Sequence, residues 1–167
     1  TIPFDLVRIF AMAPEADSTL GDSDDWLRGL FVHEYIHILH LNITSGIWDT
    51  FSSVLGKTFD PNGLLPRFLV EGLATYGESI FTEGGRLRNN AFRMYLRMDV
   101  LAGRFRDISE VTGVPVQWPQ ATVWYLYGSD FVDYVAGRFG PELIVTFLEA
   151  IGGALSPVAI QHYAGET

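Results

Sequence analysis

Leu30-Phe31-Val32-His33-Glu34-Tyr35-Ile36-His37-Ile38-Leu39-His40-Leu41 carries the spacing His-Glu-x-x-His within a run that is otherwise almost entirely apolar. Ser23 reads as an N-cap ahead of it, and Asp24 and Asp25 suit the positive end of a helix. The stretch therefore predicts a helix running to Leu41, with Asn42 as its stop. On a helix, positions i and i+4 share a face about one turn apart. His33 and His37 can thus offer two imidazoles to one tetrahedral zinc, at about 2.0–2.1 Å per bond. Glu34 is rotated about 100° from His33, so it flanks the metal instead of ligating it and can take a proton from an attacking water. With four His in 167 residues, chance gives the pattern in about one chain in 200. The bland alternative is a pair of core histidines hydrogen-bonded to neighbours. Leu30, Phe31, Ile36, Ile38 and Leu41 predict a helix largely buried in the core.

Zinc requires a third protein ligand and leaves a further position open when it is catalytic. The metzincin spacing would place Gly at position 40 and His at position 43. This chain has His40 and Ile43 there, which excludes that solution. His40 shares a face with His33 and His37 but sits too far along the axis to join both, and reads as a polar contact near the helix end. The better candidate is Glu71, in Leu69-Val70-Glu71-Gly72-Leu73-Ala74-Thr75-Tyr76-Gly77-Glu78. An acid in so apolar a stretch is costly unless it is paired or metal-bound. Gly72 and Gly77 each weaken an isolated helix by about 1 kcal/mol. That cost makes sense if helices pack backbone to backbone to bring Glu71 to the histidines. The alternative is an amphipathic helix with a surface glutamate.

Around these two stretches the sequence predicts a mainly α (α+β) fold of about six helices. Phe4 to Met12 is rich in β-formers and predicts a small N-terminal strand, followed by a polar loop from Pro14 to Asp22. Pro66 suits a first helical position, and the helix carrying Glu71 should continue to about Thr82, ended by Gly84-Gly85. Further helices are predicted over Asn89–Ala102, Gln120–Arg138 and Pro141–Ile151, with another opening at Ser156-Pro157. Gly165-Glu166-Thr167 resembles the turn that opens yet one more. The expectation is that the chain continues beyond it, leaving an exposed apolar patch against the last helices.

Bulk properties narrow the classes. Net charge is −9 and the apolar share is 48%, so the chain is expected to be a folded globular domain and an unlikely partner for nucleic acid. No run approaches the ~20 apolar residues of a membrane span. There is no cysteine, which removes disulfides and thiolate ligands. Residues 1–167 are read as a single domain and, starting at Thr1 without a methionine, as a piece of a longer protein. Of the eleven basic residues, Arg86, Arg88, Arg93, Arg97, Arg104 and Arg106 cluster in one segment. They read as a solvated helix face, with binding of a substrate carboxylate or an acidic partner as the alternative.

At the motif residues the chain resembles the gluzincins, whose H-E-x-x-H is followed on a later helix by E-G-x-A-x-Y-x-E. Its features are closest to bacterial peptidase-MA-like domains carrying W-L-x-x-L-x-x-H-E-x-x-H, E-G-L-A-x-Y-x-E-S and a later Y-G-S-x-F. Trp26-Leu27, Leu30, His33, Glu34 and His37 match the first motif, Glu71 through Ser79 the second, and Tyr127-Gly128-Ser129-Asp130-Phe131 the third. The likeness covers nearly the full length. It implies a zincin-like catalytic domain, a zinc cofactor, hydrolysis of a peptide or protein substrate, an extracytoplasmic setting and an adjoining β-propeller. It assigns His33, His37 and Glu71 as metal ligands, Glu34 as general base and Tyr127 as donor to the oxyanion, with Tyr125 as second choice. Glu78 becomes a residue that orients a ligand histidine. One departure concerns the strand whose G-x-M-E-N glutamate grips a free amino terminus in aminopeptidase N-like enzymes. Phe10-Ala11-Met12-Ala13-Pro14 offers no acid, which points to an endopeptidase. The alternative is a non-catalytic zinc-binding scaffold domain of a larger extracytoplasmic protein.

Overall fold

A computed structural model describes residues 6–9, 25–56, 60–114 and 116–153. These residues form a mainly helical protein, and no strand is found among them. Residues 6–9 of the predicted strand Phe4–Met12 are not a strand, and the rest of it lies outside the described residues. So do the N-cap at Ser23, the acid-free segment Phe10–Pro14 and everything expected of residues 154–167.

Among the described residues, seven helices run in the order α1 Trp26–Leu41, α2 Ile47–Leu55, α3 Arg67–Phe81, α4 Asn90–Leu101, α5 Ile108–Thr112, α6 Thr122–Phe139 and α7 Glu142–Gly152. Their ends follow local chemistry. Asn42 turns its amide back onto the Ile38 carbonyl at 2.8 Å, closing α1. Pro66 is the N-cap of α3, not its first helical residue, and Thr82 closes the helix by donating to the Glu78 carbonyl at 2.6 Å. Asn89 caps α4, its Oδ1 accepting from the amide of Ala91 at 2.7 Å. Gln120, expected to open α6, has φ +54° and stands outside it. Two helices were not expected. α2 is rich in Ser, Thr and Val and its N-cap is Gly46, with no side-chain cap, so propensity and capping both argue against it. α5 is a single turn of five residues, held by a capping box between Asp107 and Glu110.

The described residues divide into two compact units. Among the described residues, one takes in Leu6, Ile38–Leu65 and residues 135–153, the other residues 7–9, 25–37 and Pro66–Tyr134. In the first, the fully buried Asn62 places its Nδ2 at 3.0 Å from the His40 and Ile43 carbonyls and 3.2 Å from that of Leu148. One amide thereby ties the end of α1 to α7. His40 is itself buried in this unit.

The second unit contains the predicted site. Its core is Phe68, Phe92, Val111, Val123, Leu126 and Tyr127. Through that core α3 meets α4, α5 and α6. Two glycines of α3 let it approach its neighbours closely. A Cβ on Gly72 would lie 2.4 Å from the carbonyl carbon of Gly128 in α6, and one on Gly77 would lie 2.6 Å from Ile36 of α1. The backbone-to-backbone contact is therefore with α6, and α1 is met through a side chain. Helix α1 is less buried than its composition suggests: Leu27, Phe31, Tyr35 and Leu39 are between 45% and 51% exposed. An almost uniformly apolar helix must leave one stripe outside when only its other faces are packed.

Candidate metal centre

His33 and His37 project from one face of α1, and Glu71 comes to them from α3. The Glu71 Oε2 lies 3.4 Å from the His33 Nε2 and 3.4 Å from the His37 Nε2. One ligand atom from each of the three side chains lies within 4.8 Å of the others. Two donors held tetrahedrally at about 2.0–2.1 Å from one ion stand about 3.4 Å apart, so the two histidine–carboxylate spacings are compatible with a shared ion. The imidazole rings meet edge to face with centroids 4.8 Å apart.

The second ring nitrogen of His33 is also engaged. Its Nδ1 lies 3.1 Å from the Glu78 Oε2, two helical turns along α3 from Glu71. Glu78 is only 1% exposed. Its charge is answered by Arg86, which donates from Nε to Oε1 at 2.8 Å and from Nη2 to Oε2 at 2.7 Å. The Arg86 backbone amide adds a third bond to Oε1 at 2.9 Å. The turn that brings Arg86 back depends on Gly85, where φ is +96° and a Cβ would meet the Ser79 Cα at 2.5 Å. The same Nη2 lies 2.8 Å from the His33 Nδ1. An imidazole that binds a cation through Nε2 carries its proton on Nδ1, and only Glu78 of these two neighbours can then accept it.

The electrostatics suit a cation. Burial alone would raise the Glu71 carboxyl, but the two imidazoles outweigh it and hold Glu71 well below the usual carboxylate range. Glu78, likewise opposed by burial, is brought to about 2 by Arg86 and His33. Burial works to lower the His33 pKa, yet Glu71 and Glu78 carry it upward. Carboxylates that favour positive charge at the imidazoles could also hold a divalent ion, with His33, His37 and Glu71 as nitrogen and oxygen ligands.

Of the remaining expected residues, Glu34 is half-buried on α1, next to His33 in sequence. The two tyrosines of α6 part company. Positions i and i+2 on a helix point about 200° apart. Tyr125 turns to the metal centre: its ring centroid is 5.8 Å from that of His33, and the Arg86 guanidinium lies 4.6 Å from it. Burial, then the Glu71 charge, raises its pKa, keeping the hydroxyl protonated. Tyr127 turns away. Its hydroxyl donates to Asp99 at 2.5 Å and accepts from the Arg106 amide at 3.4 Å. Of the two tyrosines expected as oxyanion donors, it is therefore Tyr125, the second choice, whose ring lies beside His33. His40 is not one of the three clustered ligands.

Comparison with protein-family models, curated proteins and solved structures gives no match. The site has to be read from its own geometry.

That geometry contains a residue whose role the sequence pattern does not reveal. Arg86 belongs to the six basic residues that read as a solvated face, yet it is 8% exposed and sits under the metal centre. Arg88, Arg93, Arg97 and Arg104 are exposed, as that reading expects.

Proposed function

We propose that this chain is a zinc-dependent peptidase of the gluzincin type, acting as an endopeptidase. The convergence of His33, His37 and Glu71, with ligand atoms within 4.8 Å of one another, is the observation that carries the reading. Two nitrogens and one carboxylate oxygen form a three-ligand set, the number that leaves a catalytic zinc one open position. Zinc held there by His33, His37 and Glu71 would supply a Lewis acid able to polarise a carbonyl and activate water.

The chain's own residues supply the rest. Glu34 accepts a proton as water attacks the scissile carbonyl, then delivers it to the departing nitrogen. Tyr125, kept protonated, donates a hydrogen bond to the oxygen that gains charge, a contact worth roughly 3 kcal/mol. Glu78 holds the His33 ring by its Nδ1. Resemblance to bacterial peptidase-MA-like domains supports an extracytoplasmic setting and an association with a β-propeller. Among the described residues no helix is long and apolar enough to cross a membrane.

Metal analysis of the purified protein, combined with cleavage of denatured casein, tests the reading. About one zinc per chain and cleavage abolished by a chelator are expected. Zinc without cleavage would favour the scaffold alternative, and a protein that takes up no zinc would end the proposal.

A further inference from the structure

Arg86 touches both halves of the proposed chemistry, and we propose that it is a positioning residue that fixes the ligand His33 and the hydroxyl donor Tyr125 together. The inference rests on the zinc-peptidase reading above.

Its geometry is specific. A guanidinium presents a planar fork that matches a carboxylate with two parallel bonds, and Arg86 uses that fork on Glu78 at 2.8 and 2.7 Å. Both partners are buried, so solvent screens the pair little, and the two bonds restrain the carboxylate. The Glu78 Oε2 is thereby held 3.1 Å from the His33 Nδ1. The Arg86 Nη2 lies 2.8 Å from the same nitrogen; with Nε2 facing Glu71 and a metal, the Nδ1 proton is accepted by Glu78. The Cζ of the same guanidinium lies over the Tyr125 ring, 4.6 Å from its centroid. A cation over an aromatic face is attracted by its quadrupole, more strongly where water is excluded. One buried side chain therefore orients a ligand on α1 and a donor on α6.

Lysine keeps the charge but has no fork and no flat face. Arg86→Lys and Arg86→Met are each expected to raise the zinc dissociation constant 10–100-fold. At saturating zinc both should also lower kcat while leaving KM near wild type, because Tyr125 is no longer held. The loss of zinc affinity should overlap that of Glu78→Gln, so that the double variant binds little worse than the poorer single. Cobalt-substituted Arg86→Lys should show an altered visible spectrum, which a merely structural role would not produce. In zinc-loaded wild type, His33 should show a slowly exchanging Nδ1 proton by NMR.

Wild-type zinc affinity in both Arg86 variants, or losses that add fully with Glu78→Gln, would overturn the positioning role. If the variants fail to fold, the wild-type spectrum decides: a rapidly exchanging His33 Nδ1 proton overturns it. Failure of the wild type to bind zinc is a different result, and removes the metal-site reading itself.

Discussion

Gly72 of α3 lies against Gly128 of α6, so closely that a Cβ on Gly128 would stand 1.9 Å from the Phe68 carbonyl oxygen. Backbone cannot yield as a flexible side chain can, so a methyl group at either position must push the helices apart. Glu71 precedes Gly72 and would move with it. Gly72→Ala is expected to destabilise by at least about 1–3 kcal/mol and to weaken zinc binding as well. A methyl group on Gly137, also on α6, would meet nothing within 4 Å, so Gly137→Ala should be neutral or stabilising by up to about 1 kcal/mol. Urea unfolding of the two variants checks the contrast. Equal midpoints would show that the helix crossing can relax.

Under the zinc-peptidase reading, Glu34 should separate binding from turnover. It is not one of the three clustered ligands, so Glu34→Gln should retain near-stoichiometric zinc while turnover falls by at least about 10² to 10⁴. Loss of metal from this variant would mean that the roles within His33-Glu34-Tyr35-Ile36-His37 are wrongly divided.

Glu71 and Glu78 are both buried acids of α3, but they meet opposite sides of His33. Glu71→Ala removes a proposed ligand and should abolish tight zinc binding. Glu78→Ala leaves the three ligands in place and should weaken binding by about 10–100-fold. Titration with zinc against a competing chelator ranks the two, and equal affinities for wild type and Glu71→Ala would require another third ligand.

How far the sequence alone reaches depends on how local each relationship is. His33 and His37 are one turn apart on one helix, so periodicity is enough to pair them. Glu71 is legible because an acid within Leu69–Leu73 needs a partner. Arg86 is not, since its position depends on a turn at Gly85 that folds the chain back onto Ser79. Nothing in the spacing from Glu78 to Arg86 encodes that return. Helix α2 is hidden by residues of weak propensity between two positive-φ glycines, Gly46 and Gly56. Which of Tyr125 and Tyr127 lies beside His33 is closed to the sequence for another reason. Helix α6 is apolar on most of its circumference, so its pattern does not show which face meets α1.

Tyr127 gives the pH dependence a definite sign. Burial first, and then its bond to Asp99, raise its pKa to about 12 from an ordinary value of 10.0. A phenol whose pKa is raised by folding contributes stability that is complete below its unfolded value and lost as pH rises through the folded one. Unfolding free energy should therefore fall between pH 10 and about 12, and Tyr127→Phe should flatten that part of the curve. Ultraviolet titration of tyrosinate, with denaturant midpoints taken across this range, measures both. An unchanged slope in Tyr127→Phe would show that its phenol titrates alike in both states.

Exchanging one hydroxyl at a time tells the two tyrosines apart. Tyr125 stands with its ring 5.8 Å from that of His33, close to the Glu71 carboxylate and beneath Arg86, whereas the Tyr127 hydroxyl is held by Asp99 and the Arg106 amide. A donor to a developing oxyanion acts in the transition state and not in metal binding, so its loss should fall on kcat alone. Tyr125→Phe is expected to lower kcat by about 10²–10³, with zinc affinity and KM near wild type. Tyr127→Phe should leave kcat within a few-fold, its effect appearing in stability instead. Steady-state kinetics on a single peptide substrate, both variants at saturating zinc, provides the comparison. The reverse pattern, with Tyr127→Phe inactive and Tyr125→Phe unaffected, would require α6 to rotate when substrate binds and would return the donor role to Tyr127.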